Sequence, residues 1–541
     1  MIESMIEQIR KLPPAVWFGL LCLAWLLPGL VGHMPWKGAD ASTFAGFLEA
    51  RQAGDWLFPG DAVHITPLYL WLAQLFAMAF SIALPLHDAV RLGSGVLVGL
   101  SLWLTALTAL RLYGKEAGWP AVFAMMGCMG LLVPAHEINP YIAQLAAASL
   151  FAYGLVRMLV QPLIGGGLAG LGLCALFLAG AWLPALALSG ALLLLPALFP
   201  SWRSSARVGS SWFALLIVIA VCGAWLLSVQ AHEPGKFATW WQAASSSNVF
   251  GADGNAKYRP FYFVNALGWF AWPAWPVAAW AVYRLKREGW NSVKLWMPLG
   301  IFLLMLMALS LQTRPEQLQS IVLLPALALL TGAGLAELRR GAANALMWFS
   351  IMTFSFFALA LWVHWAAFDL GWPARLAKRL LKLGMQGEGL REWTLFLGVL
   401  VSLIWVIGLS WIRRQPRVPQ RPILVWSAGL TFIWCLLMVL FMQPLDKRLG
   451  YAGIASALQD RTGQAACLAT RNVSVTHRML LVYHGGLDIR VGAQNDCDWL
   501  LVYTKGRKEI PPDRSWLRHW NGARPGEKGE RFWLYKRTSD A

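Results

Sequence analysis

Thirteen apolar runs limit most strongly how this chain can fold; they lie near 15–34, 90–110, 118–134, 141–160, 164–181, 183–200, 212–230, 261–283, 295–311, 318–338, 343–366, 393–412 and 423–442. Each is close to the ~17–25 residues that an α-helix needs to cross a hydrocarbon layer. A soluble core could not hide them all. Of the 541 residues, 58% are hydrophobic and 13% charged, against about 25% charged in an ordinary soluble domain. A polytopic, mainly α membrane protein is expected. The first run lacks a small-residue cleavage site and follows Arg10 and Lys11, so it reads as a retained span.

Basic residues decide which loops share a side, because Lys and Arg accumulate in cytoplasmic loops. A further run, Pro67 to Pro85, fixes the parity. If it stays out of the membrane, the cytoplasmic loops carry Arg111 and Lys115, Arg157, Arg203 and Arg207, Arg284 to Lys294, Arg339 and Arg340, and Arg413 to Arg421. If it crosses, all of these move outside. The first arrangement is preferred, with Leu68–Phe80 as a juxtamembrane helix and the C-terminus outside. The outer loops are then 35–89, His136–Pro140, Ala231–Pro260, Thr313–Gln317 and 369–391. The last is an exception to the charge rule: an outer, amphipathic segment bearing Arg375, Lys378, Arg379, Lys382 and Arg391. The formal charge of +18 is thus spread over short loops rather than gathered in a groove for nucleic acid.

Composition changes at about Pro444. Residues 444–541 read as a small α/β domain, with helices at 451–461 and 475–484 and strands at 466–469, 487–491, 499–504 and 531–535, punctuated by Gly, Pro, Asn and Asp. The chain therefore divides into a membrane part, 1–443, and this outer domain, expected to act as a lid or docking module. Cys467 and Cys497 are the two cysteines in the tail and could pair if it lies in an oxidising compartment. No Cys/His cluster has metal-ligand spacing.

The stretch Lys37–Trp71 is the longest polar interruption of the N-terminal half and holds Asp40, Glu49, Arg51, Asp55, Asp61 and His64. Ionisable groups held at a membrane between spans mark a functional site. From here the sequence resembles the bacterial GT-C superfamily of glycosyltransferases, in particular the lipid A aminoarabinose transferase and protein O-mannosyltransferase-like group. The resemblance rests on Asp40, Gly54-Asp55-Trp56, Pro59, Pro67-Leu68-Tyr69-Leu70-Trp71, Arg91, Arg259–Pro276, Leu323–Gly332 and Asp496–Val502, in that order. Two lysines usual in the family are replaced: the chain reads His64-Ile65-Thr66 before Pro67, and Phe177-Leu178-Ala179-Gly180 later.

The resemblance implies a GT-C fold of about thirteen spans and an inverting transfer of a sugar from polyprenyl phosphate to an envelope acceptor at the periplasmic face of a bacterial inner membrane. Lipid A is the leading acceptor. A protein hydroxyl, a flippase or transporter for a lipid-linked glycan, and a non-catalytic assembly subunit are the rival readings. Such chemistry needs a base near the acceptor and cations around the leaving phosphate. Asp40 is the expected base, with Glu137 as second acid. As plain structure, Asp40 would cap a helix over 42–52 and Glu137 would be a solvated loop carboxylate. Arg91, Arg259, His64 and Arg314 are nominated for the donor phosphate, although an isolated Arg at this depth more often snorkels. Asp55, Trp56 and Pro67 are expected to shape the loop. Trp269, Trp272 and Trp275 read as an interfacial belt. No cofactor is required; a divalent cation is compatible with the reaction but has no carboxylate pair calling for it.

Overall fold

The computed structural model describes residues 13–57, 66–238, 240–241, 259–289, 292–312, 315–384, 391–414, 418–463, 467–492, 496–506, 508–509, 511–513 and 515–538. Helix α1 (Pro14–Leu26) leads into the first loop, which carries α2 (Ala39–Ala53) and α3 (Pro67–Phe80). The body continues through α4 (Leu86–Tyr113), α5 (Gly118–Met126), α6 (Met129–Leu132), α7 (Tyr141–Met158), α8 (Pro162–Leu178), α9 (Trp182–Leu198) and α10 (Ser205–His232). It closes with α11 (Tyr262–Phe270), α12 (Ala274–Leu285), α13 (Val293–Ser310), α14 (Leu324–Leu335), α15 (Arg340–Asp369), α16 (Ala374–Lys382), α17 (Glu392–Arg414) and α18 (Arg421–Leu449).

Among the described residues, eight helices are long and apolar enough to cross a membrane: α4, α7, α10, α13, the run Gln317–Leu335 ending in α14, α15, α17 and α18. A ninth crossing arises if α5 and Met129–His136, bent by 75° at their junction, count as one span. Breaking a helix inside an apolar body frees carbonyls that must find donors. Here Trp426 Nε1 of α18 donates to Gly127 O (2.8 Å), and Ser427 Oγ adds a second bond to Phe123 O (2.6 Å), which also accepts from the Gly127 amide. The remaining expected crossings are the shorter helices α1, α8 and α9, and the run split between α11 and α12. Close packing rests on small residues, as between α7 and α8, where a Cβ on Gly154 would lie 2.4 Å from Ala169 N.

Side-chain bonds sort the loops into two ends. At one end, Lys37 pairs with Glu527 (3.0 Å), Asp55 with Lys236, Asp40 with the Ile138 amide, and Tyr141 with Glu316. At the other, Tyr113 Oη donates to Lys294 O, Arg207 to Leu159 O and Arg284 to Glu337. The loops expected outside thus meet one another, and so do the basic loops expected inside. Helix α3 joins the first end, its Tyr69 Oη accepting from the Asn139 amide (3.2 Å).

The tail forms α19 (Ala452–Thr462), β1 (Cys467–Arg471), α20 (Val475–Gly485), β2 (Asp488–Val491), β3 (Trp499–Lys505), β4 (Trp516–Gly522) and β5 (Glu530–Arg537). The sheet order is β2-β1-β3-β5-β4. Strand β1 runs parallel to β2 and β3; β5 is antiparallel to β3 and β4. Sequence reading missed β4, an edge strand with a register shift between Arg518 and Trp520 and a 63% exposed Leu517, so its pattern lacks clean alternation. A disulfide joins Cys467 and Cys497 (Cα–Cα 5.1 Å). The tail sits directly on the helical body: Arg524 donates to Leu449 O, and His87 bonds Tyr483 Oη.

Candidate functional site

The first outer loop turns on Asp40. Gly38 precedes α2, and its φ of 118° lets the chain reverse so that Asp40 falls in the first turn. The carboxylate is fully enclosed. Its Oδ2 accepts from the Trp36 amide (2.8 Å) and from Arg91 Nη2 (3.3 Å); its Oδ1 accepts from the Ile138 amide (2.8 Å). One side chain thereby ties the first loop, the second loop and α4 together. Arg91 is equally enclosed, and its Nη1 donates to Asp88 Oδ1 (2.7 Å) and His33 O (3.0 Å). Asp88 in turn holds the Gly32 amide, and Asp446 at the end of α18 holds the Met34 amide and Trp36 Nε1. The segment 32–40 is thus pinned by three carboxylates and a guanidinium. A buried ion pair of this kind is costly to form alone, but each member here has further hydrogen bonds that offset desolvation.

Glu137 stands one residue from the amide that Asp40 holds and is half-buried. Burial, followed by the nearby negative charge of Asp40, raises the pKa of its carboxyl, while Arg91 opposes the rise. A carboxylate poised above its ordinary range is suited to taking a proton near neutral pH. Beyond it, Tyr141 donates to Glu316 Oε2 (2.7 Å) at the start of the 3-10 turn Gln317–Leu323. Next to that turn lies a cavity of about 440 Å³, lined by Arg259, Tyr262, Asn265, Trp269 and Gln317 among others. Arg259 is exposed there. The strip from Asp40 through Glu137, Tyr141 and Glu316 to Arg259 therefore runs along one end of the molecule.

Asp40, Arg91 and Glu137 come together as the sequence led one to expect, but with altered parts. Both oxygens of Asp40 accept hydrogen bonds, and the side chain joins the first two loops. Arg91 is fully enclosed; its Nη1 and Nη2 donate to Asp88, His33 O and Asp40, and its Nε has no partner among the described residues. Arg259 is apart from them, on the cavity wall. His64 and Arg314 lie outside the described residues, as does Pro59. The loop-shaping residues are placed: Asp55 pairs with Lys236, Trp56 O accepts from Trp71 Nε1 (2.8 Å), and Pro67 opens α3. Sequence reading missed Asp88 and Asp446. Asp88 was legible, since an acid three residues before Arg91 at a helix start is an i,i+3 pair; Asp446 needed the fold.

No protein-family model matches the chain. It is similar to undecaprenyl phosphate-α-4-amino-4-deoxy-L-arabinose arabinosyl transferase 2 of Pseudomonas fluorescens, with 26% identity over 449 residues, covering 78% of this chain and 70% of the relative. Its structure resembles that of ArnT from Cupriavidus metallidurans bound to undecaprenyl phosphate, with a TM-score of 0.68 at 14% identity over 97% of this chain and 98% of the other. The apo state of the same protein gives 0.64 at 15% identity, over 90% and 92%. The likeness extends across both the helical body and the tail, and the fold is that of ArnT, as the resemblance to the GT-C superfamily implied.

Proposed function

We propose that this chain is an integral membrane glycosyltransferase that moves a sugar from a polyprenyl-phosphate donor to a cell-envelope acceptor, with a phosphorylated glycolipid such as lipid A as the leading candidate. The observation that carries this reading is the full-length likeness to a structure bound to undecaprenyl phosphate, joined to a relative named for the same class of donor. The clustering of acids and guanidinium groups at one end of the helices supports it.

In this reading the acceptor oxygen attacks the anomeric carbon, the bond from that carbon to the donor phosphate oxygen breaks, and polyprenyl phosphate leaves with inversion. Glu137 is the carboxylate that receives the acceptor proton. Asp40 and Arg91 act as positioning residues that hold its loop and set its charge. Arg259 faces the leaving phosphate from the cavity wall, where a planar fork suits an oxyanion whose charge grows. Where the acceptor is itself a phosphate monoester, its second pKa of about 6 leaves little proton to remove, and the demand on Glu137 falls. No cofactor is invoked.

We place the protein in a bacterial inner membrane with this end and the tail in the periplasm. The Cys467–Cys497 disulfide suits an oxidising compartment, and the basic loops at the far end suit the cytoplasm. The test is purified protein with a polyprenyl-phosphate sugar and acceptor lipid, read by mass spectrometry. Free polyprenyl phosphate and a glycosylated lipid should form together. With a hydroxyl acceptor, Glu137→Gln should lower the rate about 10²-fold or more. Passage of the donor across vesicles with no new glycosidic bond would overturn the enzyme reading in favour of a flippase.

A further inference from the structure

Helix α16 has a division of faces that the catalytic reading leaves unused. Leu380 is buried, and Leu376 and Ala377 are half-buried against the body. Arg375, Lys378, Arg379 and Lys382 are all exposed, at i, i+3, i+4 and i+7. They form one stripe about 10 Å long at 1.5 Å per residue. Like charges at these spacings repel, and none of the four has a carboxylate partner among the described residues. Exposed apolar residues stand before and within the helix: Leu370 (57%), Trp372 (71%) and Leu381 (59%).

The end of the molecule to which α16 belongs follows from packing. Gly384, just past its C-terminus, has φ 73° and passes so close to the tail that a Cβ there would lie 2.8 Å from Pro525 Cβ. The same turn of the tail carries Glu527, which pairs with Lys37 of the first loop. The basic stripe thus shares the end that holds Asp40 and Glu137, opposite the basic loops. It is the exception to the charge rule noted in the sequence, and no carboxylate among the described residues pairs with it.

We propose that α16 is a docking surface for the phosphate groups of the acceptor glycolipid. Its four cations face outward beside exposed Trp and Leu side chains, the combination that seats a helix at a headgroup layer. A stripe this long matches a headgroup with more than one phosphate better than the single phosphate of a common phospholipid. The proposal takes its acceptor class from the function proposed above, but the surface can be tested without turnover.

The probes are a bis-phosphorylated glucosamine-disaccharide lipid, its dephosphorylated form and phosphatidylglycerol, each offered to the full chain in nanodiscs. Neutralising Arg375→Gln, Lys378→Gln, Arg379→Gln and Lys382→Gln together should weaken binding of the phosphorylated glycolipid roughly tenfold or more. The dephosphorylated lipid should be unaffected. A charge-keeping variant, Arg375→Lys with Arg379→Lys, should bind nearly as the parent does and controls for folding. In turnover, the neutral variant should raise KM for the phosphorylated acceptor by a similar factor and leave kcat unchanged. Unchanged binding in the neutral variant, or an equal loss toward phosphatidylglycerol, overturns the proposal. Selective binding without any sugar transfer in the parent protein would keep the surface and sink the enzyme reading; transfer with an unchanged KM in the neutral variant would do the reverse.

Discussion

Two groups of charge occupy the same end of this molecule and are built in opposite ways. Around Arg91, the buried charges have partners: Asp40, Asp88 and the guanidinium bond one another and the backbone amides of Gly32, Trp36 and Ile138. Along α16, four cations face outward with no carboxylate opposite them. The first arrangement is costly to break by removing one member, and its charges are enclosed. The second loses a little stability and is left to attract something from outside. A charge at a membrane surface is therefore not by itself a sign of catalysis; what separates anchor from contact is whether its hydrogen-bonding capacity is already used.

The sharpest way to break this comparison is to remove one charge from each group. Arg91→Leu leaves Asp40 and Asp88 buried beside no guanidinium and should cost about 3–5 kcal/mol, as for other half-broken buried pairs. Thermal unfolding in detergent should show a large fall, with loss of transfer. Neutralising all four α16 cations should change stability by no more than about 0.5 kcal/mol, and relief of like-charge repulsion favours a slight gain. Equal destabilisation by both changes would erase the distinction.

Asp40→Asn should fall between these. An amide keeps the shape but presents an NH₂ where the Trp36 or Ile138 amide needs an acceptor, so a loss of about 1–3 kcal/mol is expected. It also tests the assignment of Glu137. Asp40 raises the Glu137 pKa, so without that charge Glu137 ionises at lower pH. Since the base must be deprotonated, the acid limb of the remaining transfer should move to lower pH than in the parent. An acid limb that stays in place would mean that Glu137 is not the titrating group.

Much of this arrangement was legible in the sequence, for identifiable reasons. Apolar runs and basic loops report on the membrane and on sidedness because both are properties of whole segments, and the loops they assigned to one side do meet in space. The tail's buried strands were readable from short apolar runs such as Trp499–Val502, whereas the exposed edge strand β4 was not. What the sequence could not convey was the state of each charge. That Asp40 and Arg91 are enclosed and bonded to each other is not visible from their residue types. Their enclosure depends on amides contributed by Trp36 and Ile138 and on a carbonyl from His33, and backbone donors and acceptors carry no residue signature. The stripe on α16, by contrast, could be read from its spacing, and the contact between Gly384 and the tail puts it with the other loops assigned to that end.

The smallest effect concerns the turn of the tail that lies between the two groups. Glu527 accepts from the amides of Lys528 and Gly529 and pairs with Lys37 and Arg524. The Gly529 amide first, and Lys37 next, hold its pKa down at about 2. A depressed carboxyl contributes stability that is complete above its ordinary range, near 4.3, and is lost as pH falls from there toward about 2. Glu527→Gln should cost about 0.2–1 kcal/mol at neutral pH, since Lys37 is half exposed. The variant should also lack the acid-dependent loosening of the tail from the first loop, measured by hydrogen exchange of residues 524–530 at pH 6 and pH 3.5. If parent and variant loosen alike between these values, the contact joining the tail to the first loop is not set by this carboxylate. The burden would then pass to Arg524, whose pairing with the enclosed Glu530 (2.5 Å) follows the pattern of Arg91 rather than that of α16.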